Sequence, residues 1–520
     1  MLQNLRNNRG IMTSKKQKEK KVWNFNTIDL NVTTNVINLA NRILKELFGD
    51  VVESLACELL RWNDQHLGSL FRSEALSEFK GKEGQQKLSQ ALVILIQHNL
   101  VNFSRNKDDR LVRYTLNVEQ VLNLIRYPRF VILSKTLFGD EGEILTEELL
   151  FHGQECASNL IYRAGKRLGL SRINGDLNQN TEMSDIIKKL HTTFNEMVKC
   201  HFISRVASPY VRRPEGEETS NSEMTHVIPQ LSMPDALKYQ PPEIDYKSII
   251  DSVNKTVNTP NEEEPGEENK FLGIKPDRKI LWKVNIARFH REFRDLLIVQ
   301  AVQRRIDISA GNLMRTMLTL MNESSPWLDV STHIHQVDIL ARIQTSSKSS
   351  AVGADEKLQN YHDQYLKVLA EDRTRFCDKV GDAGGGQYLI NIKHVFTELA
   401  SATADNIVLE KFGSKALRIF RVIREKLHVE ESQLPVYVMI PAKEIKLLTY
   451  QLLENNFIQL QELRKNMSNN APTKSFYLFY VDLNQVARMI SEMSRKALAN
   501  SFTRKNFEAT QNKRLLEKQV

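Results

Sequence analysis

Apolar residues recur at helical spacing from Val36 onward. Val36, Leu39, Ala40, Ile43, Leu44 and Leu47 form one stripe, and Gly49 ends that helix. Val51, Val52, Leu55, Leu59 and Leu60 predict a second helix. Residues 69–79 read as a short entry segment, and the block Leu92, Val93, Leu95, Ile96 marks a third helix over residues 85–98. Two extended pieces, 100–104 and 111–116, flank the polar turn Arg105-Asn106-Lys107-Asp108-Asp109-Arg110, a hairpin signal. Three helices and then a hairpin with a charged tip is the order of a winged helix-turn-helix.

A second stretch has the same design with a weaker hairpin. Residues 130–137, 144–151 and 154–168 supply its first helices, 184–199 its third helix and 201–206 a strand. Residues 209–270 then hold eight of the fourteen prolines and the acidic run Glu262-Glu263-Glu264-Pro265-Gly266-Glu267-Glu268. A segment so poor in aromatics buries too little apolar area to offset its ordering entropy, which predicts a long mobile loop. Beyond it, a strand at 280–286, helices at 287–305, 310–321 and about 355–373, and a strand at 387–392 predict a third unit, with a weaker break at 346–353.

The pattern sharpens again near the end. Residues 413–427 are amphipathic, 434–438 read as extended, and Pro441 stands where a first-turn proline is tolerated, opening a helix to 455. Strands at 457–460 and 476–481 complete the second clear winged-helix signature. The last 38 residues lack proline and glycine, and Leu483, Val486, Ile490, Met493 and Ala497 form a seam of about two heptads. The expected division is a basic tail (1–30), winged helices at 31–118 and 119–208, a disordered acidic, Pro-rich loop (209–275), winged helices at 276–403 and 404–482, and a coiled-coil helix (483–520). The fold class is mainly α with small β wings.

Composition narrows the function. With 41% hydrophobic and 26% charged residues the chain is mainly globular, and a net charge of +9 over 520 residues permits nucleic-acid contact without demanding it. The longest apolar run, 91–96, is far short of the ~20 residues of a membrane span. Lys15, Lys16, Lys18, Lys20 and Lys21 precede no apolar h-region, leaving a nuclear-import patch or a solvated tail. Cys57, Cys156, Cys200 and Cys377 are widely spaced with no CxxC, which fits a reducing, intracellular address.

No catalytic set stands out. Gly384-Gly385-Gly386 precedes a strand and no Gly-Lys-Ser/Thr follows, so a turn is favoured over a phosphate loop. His333 and His335 share a face if extended, but two imidazoles make a poor structural zinc site. Cys200-His201 lacks an acid, and Glu147-Glu148 reads as a solvated helix face. No metal and no cofactor is expected.

Cations on third helices and wings are the candidates for DNA contact, because they neutralise phosphates and release counterions. The first wing offers Arg105, Lys107, Arg110 and Arg113; the last unit offers Lys443 and Lys446 on its helix and Arg464, Lys465 and Lys474 around its wing. That helix is mainly aliphatic and carries Glu444 and Glu454, whereas a reader of base edges presents Arg, Asn or Gln. Protein docking or non-specific backbone contact therefore ranks above base reading. Arg288, Arg291, Arg294, Arg304 and Arg305 mark either a salt-bridged helix surface or a docking face for an acidic partner, with Phe289, Phe293 and Leu297 opposite Arg288 and Arg291.

Residues 285–320, 439–463 and 475–518, with FHGQECASNLIYRA at 151–164 and LFGDVVESLACELL at 47–60, closely resemble the third-largest subunit of RNA polymerase III. The resemblance runs from about Val32 to the C-terminus, interrupted by the 209–270 loop. It implies four extended winged helices with a coiled-coil stalk and a place in an enzyme-specific heterotrimer. The implied partners are a smaller winged-helix subunit, an acidic-tailed subunit and the clamp of the largest subunit. It further implies kinship with the large subunit of general transcription factor E, a nuclear address, support of promoter opening through sequence-non-specific DNA contact, and no active site of its own. The competing readings are a free-standing, sequence-specific winged-helix regulator and a scaffold of a non-transcriptional complex such as the proteasome lid.

Overall fold

A computed structural model of the chain describes residues 33–62, 64–79, 81–105, 111–173, 179–206, 210–211, 225–226, 235–242, 249, 277, 280–324, 330–347, 354–372, 374–464 and 475–518. They divide into two compact units, one within Met1–Tyr127, Ser208–Ser232 and Phe502–Val520, the other within Pro128–Ala207 and Met233–Ser501. The expected basic tail, and most of the expected acidic loop, lie outside the described residues.

The first module consists of α1 (Thr34–Phe48), α2 (Asp50–Arg61), β1 (Gln65–His66), α3 (Leu67–Arg72), α4 (Lys82–Gln97), β2 (Val101–Arg105) and β3 (Val112–Leu116), followed by the short α5 (Val118–Asn123). The Thr33 hydroxyl caps α1 by accepting from the Val36 N–H at 3.4 Å. The predicted stripe of Val36, Leu39, Ala40, Ile43 and Leu44 is buried. β3 is the central strand, antiparallel to β1 and to β2.

The second module repeats the order with α6 (Tyr127–His152), bent at Gly139, β4 (Glu155–Cys156), α7 (Ala157–Ile173), α8 (Gln179–Lys199) and β5 (Ile203–Arg205). Its third strand is long delayed. β6 (Tyr210–Val211) pairs with β7 (Thr225–His226), α9 (Asp235–Lys238) follows, and only β8 (Leu281–Val284) completes the sheet between β4 and β5. The sequence pattern groups this strand with the third unit. Its hydrogen bonds correct that assignment: Val284 pairs with Ile203, and Trp282 pairs with both Arg205 and Glu155. Local periodicity carries no sign of a partner beyond so long an insertion. Closing residues 206–280 costs roughly 2 kcal/mol more than closing a six-residue turn. Complete burial of Trp282, edge-on to Phe194 at 5.5 Å, offsets an amount of that order.

The third module is α10 (Ile286–Arg305), α11 (Ile308–Ser324), β9 (Ile334–His335), α12 (Gln336–Ser347), α13 (Ala354–Glu371), β10 (Asp378–Gly381) and β11 (Gln387–Leu389). Gly384, Gly385 and Gly386 all have positive φ in the tight turn joining β10 to antiparallel β11, so they serve a wing. The fourth is α14 (Ile392–Lys426), bent at Gly413, β12 (Val429–Glu430), α15 (Leu434–Val438), α16 (Ala442–Glu454), β13 (Gln459–Arg464) and β14 (Ser475–Tyr480). Residues 434–438, read as extended, are the helix α15. Pro435 fits its first turn, and Leu434 and Val438, one helical turn apart, are both buried.

Two helices are shared between neighbouring modules. Phe289 of α10 packs against Phe130 and Phe202 of the second module at 5.0 and 4.9 Å, whereas Ile298, Val299 and Val302 lie in the core of the third. In α14, Ile392 and Val395 belong to the third core and Ala404 and Val408 to the fourth. The final helix, α17 (Leu483–Gln511), begins by contributing Val486, Met489 and Ile490 to the fourth core. The predicted seam is thus partly spent on its own module, and Ala497 is exposed.

Beneath the repeated order lies a repeated joint. The first two helices part at Gly49 (φ 87°), Gly139 (φ 77°) and Gly413 (φ 84°) in modules one, two and four, with ψ near 180° each time. In those modules α4, α8 and α16 each run out at a left-handed residue, Asn99, His201 or Asn456. There the Leu100, Phe202 and Phe457 N–H groups each donate at 2.9 Å to a carbonyl five residues back, at Leu95, Met197 and Leu452.

Candidate nucleic-acid and docking surfaces

The first wing is the β2–β3 hairpin. Arg105 ends β2 at its tip, and Lys107 and Arg110 lie outside the described residues. Arg113 is already engaged: its Nη1 lies 2.8 Å from the Asp64 carboxylate, tying β3 to the residue before β1. That pair braces the start of the sheet with a guanidinium that stays partly exposed.

In the fourth module, Lys443 and Lys446 are exposed on α16. They share the open side of that helix with Leu447 (62% exposed) and Tyr450 (46%), and Met439 before the helix is 85% exposed. Glu444 is tied back to Lys415 at 2.5 Å, and Glu454, exposed one turn beyond Tyr450, is the acid on that side. Arg464 ends β13 at the wing, and Lys465 and Lys474 lie outside the described residues. The wing strands also carry the exposed cross-strand pair Leu463 and Phe476. These apolar positions escaped the sequence reading, which placed the helix's aliphatic residues without separating the buried Ile445 and Leu452 from the outward Leu447.

The arginine-rich stretch is largely committed within the chain. Arg288 pairs with Glu292 at 2.8 Å, donates to the Cys200 carbonyl at 3.3 Å and covers the Phe202 ring. Arg294 donates to Asp295 at 2.8 Å and to Asn322 at 3.1 Å. Burial pushes the Asp295 carboxyl up, and Arg294 works against that shift. Arg305 grips both oxygens of Asp372, at 2.7 and 2.8 Å, and holds that carboxyl below its ordinary value. Arg291 is half-buried, and burial and the neighbouring Arg288 and Arg294 lower its pKa; Arg304 is exposed. Three of the five arginines are thus in ion pairs within the chain. Of the three apolar residues set opposite, Phe289 is fully buried and Phe293 stacks on Phe130, but Leu297 is 53% exposed.

His333 is exposed and His335 partly buried beside Gly384. Among the described residues no three His, Cys, Asp or Glu side chains come together as a metal site, and no helix is long and apolar enough to cross a membrane.

Four modules with one strand order, the last three joined by two shared helices, describe a scaffold, and comparison with known proteins says of what kind. The profile of the RNA polymerase III subunit RPC82 helix-turn-helix domain matches residues 38–106, that of RNA polymerase III subunit RPC82 matches 192–399, and that of the POLR3C C-terminal winged-helix domain matches 404–481. The DNA-directed RNA polymerase III subunit RPC3 of Bos taurus is 34% identical over 94% of this chain and 87% of its own. The chain belongs to the RNA polymerase III subunit RPC3 family. The human RPC3 is 33% identical over the same shares, and the Dictyostelium discoideum rpc3 is 22% identical over 92% of each chain. Membership makes this chain an accessory, non-catalytic subunit of that polymerase, working beside its other subunits.

Proposed function

We propose that the chain supports promoter opening by nuclear RNA polymerase III, combining protein docking with weak, sequence-blind DNA contact, much as the large subunit of general transcription factor E serves its own polymerase. The docking partners are the smaller winged-helix subunit, the acidic-tailed subunit and the clamp of the largest subunit. The open side of α16 carries this reading. Lys443 and Lys446 neutralise phosphates there, Leu447 and Tyr450 offer apolar contact, and no ladder of Arg, Asn or Gln reads base edges. Arg105, Lys107, Arg110, Arg464, Lys465 and Lys474 extend the DNA contact at the two wings.

The test is a polymerase carrying Lys443→Glu and Lys446→Glu together, assayed on duplex promoter and on a pre-melted template. Opening of the duplex should fall several-fold while transcription from the pre-melted template holds. Equal activity on both templates, at wild-type level, would overturn the DNA role. Separately, Leu447→Asp with Tyr450→Asp should reduce co-purification with the other subunits, and unchanged recovery would remove α16 as a docking face.

A further inference from the structure

We infer that two contacts made by described residues between β5 and β8 hold the chain on its return, and that the second, the Asp277 carboxylate on the first turn of α7, keeps β8 in the sheet. In modules one, three and four no more than ten residues separate the second strand from the third. In module two the return must be held by contacts made outside the ladder.

The first fastening lies just after α9. The Tyr239 ring stacks on His201 with centroids 3.9 Å apart. Asn285, the residue before α10, donates from its Nδ2 to the His201 carbonyl at 2.9 Å and to the Tyr239 hydroxyl at 3.3 Å. Tyr239 is thus pinned where the end of α8 meets the start of α10.

The second fastening is a cap supplied from a distance. Asp277 is 1% exposed, and its Oδ2 accepts from the Ser158 N–H at 2.6 Å. Ser158 is the second residue of α7, so the carboxylate takes one of the open amides of that helix and meets the positive end of its dipole. The residue in the ordinary capping position is Cys156, whose thiol is a weak acceptor, and Glu155 is occupied with the Cys156 N–H and the Asn159 amide. From Asp277 the chain turns, with the Ile280 N–H donating to the Asp277 carbonyl at 2.9 Å, and enters β8 one residue later. Asp277 thereby joins the entry to β8 to α7, and Tyr239 joins the residue after α9 to the start of α10.

Hydrogen exchange of the full-length chain tests this with three variants. Asp277→Asn keeps an acceptor for Ser158, Asp277→Ala removes it, and Asp277→Leu fills the buried space without accepting. Exchange at residues 281–284 and 157–160 should accelerate tenfold or more in the Ala and Leu variants and stay within about twofold of the parent in the Asn variant, with the β2–β3 and β13–β14 hairpins unchanged. Parent-like protection in the Ala variant overturns the latch, and so does protection restored by Leu, which would make packing the cause. Should the Ala variant fail to fold, the Asn variant still decides: loss of its protection at 281–284 rules out a cap that needs only an acceptor.

Discussion

Phe412 meets Phe457 edge-on, with ring centroids 5.5 Å apart and planes at 82°, and so joins the break in the first helix of its module to the end of the third. Phe138 stands in the same relation to Phe202 at 5.4 Å and 81°. In the first module Phe48 meets His98, at the end of α4, at 5.0 Å and 66°. The glycine after each phenylalanine turns the chain; the left-handed residue then delivers Phe202 and Phe457 in modules two and four, whereas His98 stands just before it in module one. Phe457 is fully buried, so Phe457→Ala should cost about 3–5 kcal/mol. A double-mutant cycle with Phe412→Ala, read by denaturant unfolding, should show coupling of about 0.5–1.5 kcal/mol; additive losses would mean that the pair is incidental.

The joint itself depends on glycine. At Gly49 and Gly413 no atom lies within 4 Å of an added Cβ, so space is not the constraint. The positive φ is. Gly49→Ala and Gly413→Ala should each destabilise the chain by about 1–3 kcal/mol through backbone strain alone. A lysine four residues before the glycine bridges acids one and four after it in modules one and two, Lys45 to Asp50 and Glu53 and Lys135 to Asp140 and Glu143. These exposed bridges should contribute little, and melting curves of Lys45→Ala should nearly overlay the parent's.

Arg305 and Asp372 predict a pH dependence. Arg305 lowers the Asp372 carboxyl, so the folded chain binds that proton less readily than the unfolded one. The pair's stabilisation is full above the unfolded carboxylate value, roughly pH 4, and is lost as pH falls through the depressed folded value. Because Arg305 is partly exposed, the gap between parent and Arg305→Gln at neutral pH should stay under about 1 kcal/mol. Melts repeated from pH 7 to pH 2 should show that gap closing in acid; a gap that widens in acid contradicts the pairing.

For DNA, Lys443→Ala and Lys446→Ala should each lower the slope of log affinity against log salt by about one, equally on unrelated sequences. A loss confined to one sequence would point to base reading instead.

The sequence by itself determined the helices with apolar stripes, the wings of the first and fourth modules and the family, because those signals are local. Three short joints were legible in principle. Phe48-Gly49, Phe138-Gly139 and Phe412-Gly413 are each followed by Asn99-Leu100, His201-Phe202 or Asn456-Phe457. Their unequal spacing hides them from a search for a fixed period. Tertiary structure alone decided three things. It gave β8 to module two, because strand pairing is settled by contacts across the insertion and leaves no mark on the residues between. It divided α10 and α14 between two cores each, because periodicity shows an apolar face but not what that face meets. And it paired Arg113 with Asp64 and Arg305 with Asp372, because an arginine's spacing along a helix or strand does not say whether an acid from elsewhere in the chain reaches it.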